Sequence, residues 1–131
     1  GGGGKTNSAN GGGGGGGSQG GGSGGHVMLI AKFITGTKTN LTLRAKGGDG
    51  GNGGSGRTAY VNAGGKGAGG NGGDGGCVTI ISGTNPGVSG SGGVTIDVSG
   101  GDAGSNGTHG GAGNIGTPQD GETGTSIVIH C

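Results

Sequence analysis

Glycine recurs every third residue over long stretches of this chain, and that spacing decides which backbones it can form. Residues 47–55 read Gly-Gly-Asp, Gly-Gly-Asn, Gly-Gly-Ser, and glycine returns at 64, 67, 70, 73 and 76. It returns again at 101, 104, 107, 110, 113 and 116. A period of three is neither the 3.6 of an α-helix nor the two of a β-strand. It matches an extended, left-handed threefold helix of the polyproline II type, rising about 3.1 Å per residue. Such a helix makes no internal hydrogen bonds, so its amides must pair with water or with neighbouring segments. A glycine at every third position leaves no Cβ in the way, and backbones can lie directly against one another. The expectation is an array of polyglycine II helices bonded side by side, with Asp, Asn, Ser, Thr, Lys and Ala coating the outside.

Between the glycine stretches lies a pattern that occurs twice and begins a third time. The first copy runs Gly24-Gly25-His26-Val27-Met28-Leu29-Ile30, then Leu41-Thr42-Leu43-Arg44-Ala45-Lys46. The second runs Gly75-Gly76-Cys77-Val78-Thr79-Ile80-Ile81, then Val94-Thr95-Ile96-Asp97-Val98-Ser99. Gly124-Thr125-Ser126-Ile127-Val128-Ile129-His130 opens the third. A period of about 50 residues signals stacked supersecondary units, each too small to bury its own face. Leu41, Leu43 and Ala45 alternate with Thr42, Arg44 and Lys46, and Val94, Ile96 and Val98 alternate with Thr95, Asp97 and Ser99, which predicts half-buried strands. The continuous apolar run Val27–Ala31 predicts a strand covered on both faces. Turn chemistry in Thr35–Asn40 and Gly83–Gly87 predicts that each strand pair closes as an antiparallel hairpin.

The predicted fold is mainly β plus polyglycine II helices, in repeated hairpin and glycine-helix layers forming a solenoid-like sandwich with no α-helix; 48 glycines in 131 residues exclude a helical stripe. Residues 26–131 form a two-and-a-half-repeat domain. Residues 1–25 form a glycine-rich N-terminal segment, read either as a flexible linker or as the first polyglycine helices. The Gly-Gly-Gly-Gly start predicts a fragment or a processed product.

Several function classes are disfavoured. Seven Lys and Arg, a net charge of +1 and two aromatic residues, Phe33 and Tyr60, give no basic, aromatic-lined nucleic-acid surface. No apolar run approaches the ~20 residues of a membrane-spanning helix. Gly4-Lys5-Thr6 lacks the strand and glycine spacing of a phosphate loop. Ser105, His109 and Asp102 compose a catalytic triad only on paper, without a nucleophile elbow or an oxyanion signature, so no enzyme and no cofactor are expected. Asp49, Asn52, Asp74 and Asp102 suggest calcium, but they lack the nine-residue repeat with its apolar residue; water or backbone N–H groups are the expected partners, and no metal site is expected.

The glycine triplets, the strand pairs Gly-Gly-His-Val-Met-Leu-Ile-Ala-Lys and Leu-Thr-Leu-Arg-Ala-Lys-Gly-Gly-Asp-Gly-Gly-Asn-Gly, and the stretch Gly11–Gly17 together resemble the glycine-rich domains of bacteriophage tail-fibre and receptor-binding adhesins. The resemblance covers residues from about 11 to 131. It implies a packed polyglycine II sandwich on a virion or other extracellular surface, with specificity loops at one edge. The adhesins' receptor loops tend to be rich in aromatics; here only Tyr60, within Arg57-Thr58-Ala59-Tyr60-Val61-Asn62, fits. Arg57, Thr58, Tyr60 and Asn62 are therefore read as either a surface contact loop or a turn between polyglycine helices.

Cys77 and Cys131 are read as a disulfide or as intersubunit thiols, with parallel stacking of the repeats setting them at opposite ends. The implied function is a non-enzymatic structural or attachment component of a fibre, with identical subunits, other fibre proteins or a cell-surface receptor as partners. A self-assembling extracellular filament is the alternative. An ice-binding bundle is a third reading, opposed by the irregular Asp, Lys, Asn and Arg at the non-glycine positions.

Overall fold

The computed structural model describes residues 12–34, 41–57, 63–83, 93–108 and 115–131. Five strands occur among them: β1 (His26–Ala31), β2 (Thr42–Arg44), β3 (Cys77–Ser82), β4 (Thr95–Asp97) and β5 (Thr125–His130). No α-helix occurs among the described residues. The strands make two small parallel sheets, a three-stranded one ordered β1-β3-β5 and a two-stranded one of β2 and β4.

The predicted hairpins do not form. β1 pairs with β3 and not with β2; His26 lies opposite Cys77 and Thr42 opposite Thr95, so each strand bonds to its counterpart about 50 residues along. The connection from Ala31 to Thr42 is longer than the two to five residues typical of a hairpin loop. It carries the chain from one layer to the other, and an equivalent strand in the next repeat then supplies the lateral partner.

Before and between the strands lie five glycine-rich runs that are neither helix nor strand: run 1 (12–25), run 2 (45–57), run 3 (63–76), run 4 (98–108) and run 5 (115–124). Their hydrogen bonds advance in threes. Gly15, Ser18, Gly21 and Gly24 of run 1 donate to the carbonyls of Gly65, Ala68, Asn71 and Asp74 of run 3 at 2.7–3.0 Å, so these runs are parallel. Gly48, Gly51, Gly54 and Arg57 of run 2 donate to Gly22, Gln19, Gly16 and Gly13 of run 1 in descending order, so these are antiparallel. Gly64, Gly67, Gly70, Gly73 and Gly76 donate in turn to run 2, and Gly101, Gly104 and Gly107 of run 4 donate to Gly73, Gly70 and Gly67. Runs 1, 3 and 5 continue into β1, β3 and β5 as one layer; β2 and β4 continue into runs 2 and 4 as the other. Run 3 is central and bonds to all four of the others.

The spacing of glycine is steric. A Cβ on Gly73 would meet the backbone of Gly22 and Gly21, and one on Gly47 the backbone of Gly73 and Asp74, all closer than real Cβ atoms approach. None of these glycines has a φ in the left-handed region, so space and not backbone freedom demands them.

The apolar core is confined to the sheets. Val78, Ile80, Val94 and Ala45 are buried, with Val27, Leu29, Leu41, Leu43, Ile96, Val98 and Val128 packed around them. Alternation in β2 and β4 turns these residues inward, as their sequence predicts. The reading of β1 as covered on both faces fails: Met28 and Ile30 are 56% and 66% exposed, because β1 is an edge strand with nothing among the described residues over its outer face.

Candidate functional surface

Three surfaces carry side chains with chemistry: the outward rows of the glycine runs, the outer face of the β1-β3-β5 sheet, and the ends of the runs. On the outward rows, one polar position of the triplet repeats its chemistry from one repeat to the next. Asp49 Oδ1 accepts the Asp102 N–H at 2.9 Å, Asn52 Oδ1 that of Ser105 at 2.8 Å, and Ser55 Oγ that of Thr108 at 3.1 Å. In the other layer, Asn71 Oδ1 accepts the Gln119 N–H at 3.0 Å and Asp74 Oδ1 that of Glu122 at 2.9 Å. These side chains accept from backbone amides of the neighbouring run, which is their chemical role here. Asn71 was not singled out from the sequence; its place in the triplet, equivalent to that of Asp74, is the signal that finds it.

The charges on this surface are tied to the same backbone. Asp49 is held below the ordinary carboxylate range first by the Asp102 N–H and then by Lys46, whose Nζ lies 3.5 Å away. Asp97 is lowered first by the Ser99 hydroxyl at 2.8 Å, then by the Ser99 N–H, with a smaller contribution from Arg44. Arg44 Nε reaches Asp97 Oδ2 at 2.9 Å between register partners of β2 and β4.

The outer sheet face is apolar. Met28, Thr79 and Ile127 form one register row and Ile30, Ile81 and Ile129 the next. Met28, Ile30, Ile127 and Ile129 are exposed, as is Phe33 beside them in sequence, under the Lys32 ammonium. At one end of this face the His26 ring hydrogen-bonds with the Thr79 hydroxyl at 3.1 Å, and the Cys77 sulfur lies 3.9 Å from the same oxygen.

Arg57 is exposed and ends run 2. Its N–H donates to Gly13 and its carbonyl accepts from Gly64, which closes the base of the loop that follows. Thr58, Tyr60 and Asn62 lie outside the described residues, as does His109. Asp102 and Ser105 sit on run 4, held through their own amides by Asp49 and Asn52. Cys77 and Cys131 are both free thiols. The parallel register sets Cys77 opposite Thr125, so Cys131 lies about 20 Å further along at the far end of the sheet, too far for a bridge.

No pocket opens among the described residues, and no group of three or more His, Cys, Asp or Glu there is placed to hold a metal. Among the described residues no helix is long and apolar enough to cross a membrane. The chain matches no family model, no curated protein and no solved structure.

Proposed function

We propose that this chain is a non-enzymatic structural and attachment component of a virion or other extracellular fibre, of the phage tail-fibre type. The observation that supports it is run 3, whose backbone is bonded into four neighbouring runs at three-residue intervals. In this reading each run is a polyglycine II helix and the whole is a solenoid-like sandwich. A body built this way is stiff along the runs, because bending it shears many lateral bonds together, each stabilising by about 0.5–1.5 kcal/mol. The ends of the runs, among them that at Arg57, are where a receptor or a neighbouring fibre protein would be met. The alternative, a subunit of a homopolymeric filament, draws support from the exposed edge strand β1.

Single-molecule pulling along the runs tests the load-bearing role. The expected trace holds a cooperative rupture that releases most of the chain in one step. Featureless extension, as from a flexible tether, refutes it. Labelled protein applied to bacterial cells tests attachment: binding that is lost on replacing 57–62 with a Gly-Ser loop supports a contact role for that end, and binding unaffected by the replacement removes it.

A further inference from the structure

The two lateral ends of the glycine array are built differently. In run 3 the positions facing runs 4 and 5 are Gly69, Gly72 and Gly75. A Cβ on Gly72 would strike the backbone of Gly101 and Gly121, and one on Gly75 the backbone of Val98 and Gly124. The register that sets Cys77 opposite Thr125 makes Thr117, Asp120 and Thr123 the equivalent residues of run 5. Where a further run would need bare backbone, run 5 carries three side chains.

Asp120 does more than obstruct. Its Oδ1 accepts the Ala103 N–H of run 4 at 2.7 Å. One repeat earlier the equivalent amide, Gly50, donates at 2.8 Å to the carbonyl of Asp102 in the next run of its layer. The Asp120 carboxylate therefore stands where the carbonyl of an added run would stand. Asn106 works similarly nearby: its Oδ1 accepts the Gly69 N–H at 2.8 Å and its Nδ2 donates to the Gly116 carbonyl at 3.1 Å. That side chain spans the place of a direct bond between runs 3 and 5, which Gly72 and Gly75 make to Gln119 and Glu122.

Run 1, at the opposite end, carries one side chain in the corresponding row among the described residues. The residues equivalent to Gly70, Gly73 and Gly76 are Gln19, Gly22 and Gly25; Gln19 stands where a neighbouring run would need bare backbone, whereas a Cβ on Gly22 or Gly25 meets nothing within 4 Å.

We propose that Asp120, flanked by Thr117 and Thr123, terminates the glycine array and stops runs 1 and 2 of a second copy from adding beside runs 5 and 4. The run 5 side is then closed by three side chains and the run 1 side by Gln19, and the chain does not polymerise side to side.

The test compares five proteins by sedimentation velocity: the wild type, Asp120→Asn, Gln19→Gly, the quadruple variant Gln19→Gly/Thr117→Gly/Asp120→Gly/Thr123→Gly, and that quadruple variant with Gly22→Val. Asp120→Asn keeps an acceptor and Gln19→Gly leaves run 5 closed, so both should sediment as the wild type does. The quadruple variant should associate at least about tenfold more tightly, and Gly22→Val should return it to wild-type behaviour by obstructing run 1. A folded quadruple variant that sediments like the wild type overturns the proposal, as does association that persists with Gly22→Val. Should the quadruple variant not fold, the single change Asp120→Gly decides. Exchange of the Ala103 amide should then accelerate about tenfold, with Asp120→Asn close to wild type; unchanged exchange in Asp120→Gly overturns the role of the carboxylate.

Discussion

Adding one methyl group to Gly73 should cost more than removing several from the surface. A Cβ there meets the carbonyl oxygen and carbon of Gly22 and the carbonyl oxygen of Gly21, all backbone atoms that cannot rotate aside. Relief requires runs 1 and 3 to part by roughly 1 Å, which takes N–H···O distances beyond about 3.5 Å. The bonds from Ser18, Gly21 and Gly24 to Ala68, Asn71 and Asp74, now 3.0, 2.8 and 2.7 Å, are the ones at risk. Losing two or three of them at about 0.5–1.5 kcal/mol each, with overpacking of about 1–3 kcal/mol, gives roughly 3–5 kcal/mol. That is a large share of the roughly 5–15 kcal/mol that holds a typical domain together. Gly22 is the matched control: its Cβ would meet nothing, and Gly→Ala there restricts the unfolded chain, so Gly22→Ala should be neutral or stabilise by about 0.4–1 kcal/mol. Urea unfolding, followed by far-ultraviolet circular dichroism and by amide exchange at run 3, measures both. Equal midpoints for Gly73→Ala and Gly22→Ala would show that the runs do not touch as described.

Three further expectations follow from the same geometry. Ile80 is fully buried and Ile30 is 66% exposed, so Ile80→Ala should lower stability by about 2–4 kcal/mol and Ile30→Ala by far less, as read from thermal melts. Asp49 and Asp97 have lowered pKa values in the folded chain, so the stability they contribute is present above the ordinary carboxylate range and is lost as pH falls through those lowered values; Asp49→Asn, which keeps the acceptor for Asp102, should flatten the acid limb of the stability–pH curve. Thiol titration of the native protein should find both cysteines free, and mild oxidation should yield disulfide-linked dimers that Cys131→Ser abolishes, because Cys131 is exposed and lies at the far end from Cys77.

Much of this arrangement was legible where chemistry repeats at a fixed spacing. The triplets predicted glycines pressed between backbones, and the alternation of Leu41, Leu43 and Ala45 against Thr42, Arg44 and Lys46 predicted the buried face of β2. The repeats suggested parallel stacking, but not that each strand would bond to its counterpart in the next repeat in place of its neighbour in sequence. Turn residues after β1 fit a hairpin as well as a crossing between layers, and only the equivalence of His26 and Cys77 in successive repeats decides for parallel pairing. The apolar stretch of β1 misled for a related reason: β3 has neighbours on both sides while β1 has one, and position in a sheet is not written in a strand's own residues. Asp120 was hidden because its environment arises from three runs at once, and nothing local distinguishes it from other surface carboxylates.

An interior assembled from peptide groups also shapes how the molecule responds to temperature. Unfolding an ordinary domain exposes mostly hydrocarbon, which raises heat capacity by about 0.45 cal/mol/K per Å², whereas exposing polar groups lowers it by about 0.26. Opening the runs uncovers amides and carbonyls; only the cluster around Val78 and Ile80 uncovers hydrocarbon. The two contributions oppose each other, so the heat-capacity increment per residue should fall below the usual 12–15 cal/mol/K. A chain with so small an increment has a broad, flat stability curve, and it keeps its shape in the cold, where proteins that rely on oil-like cores begin to loosen.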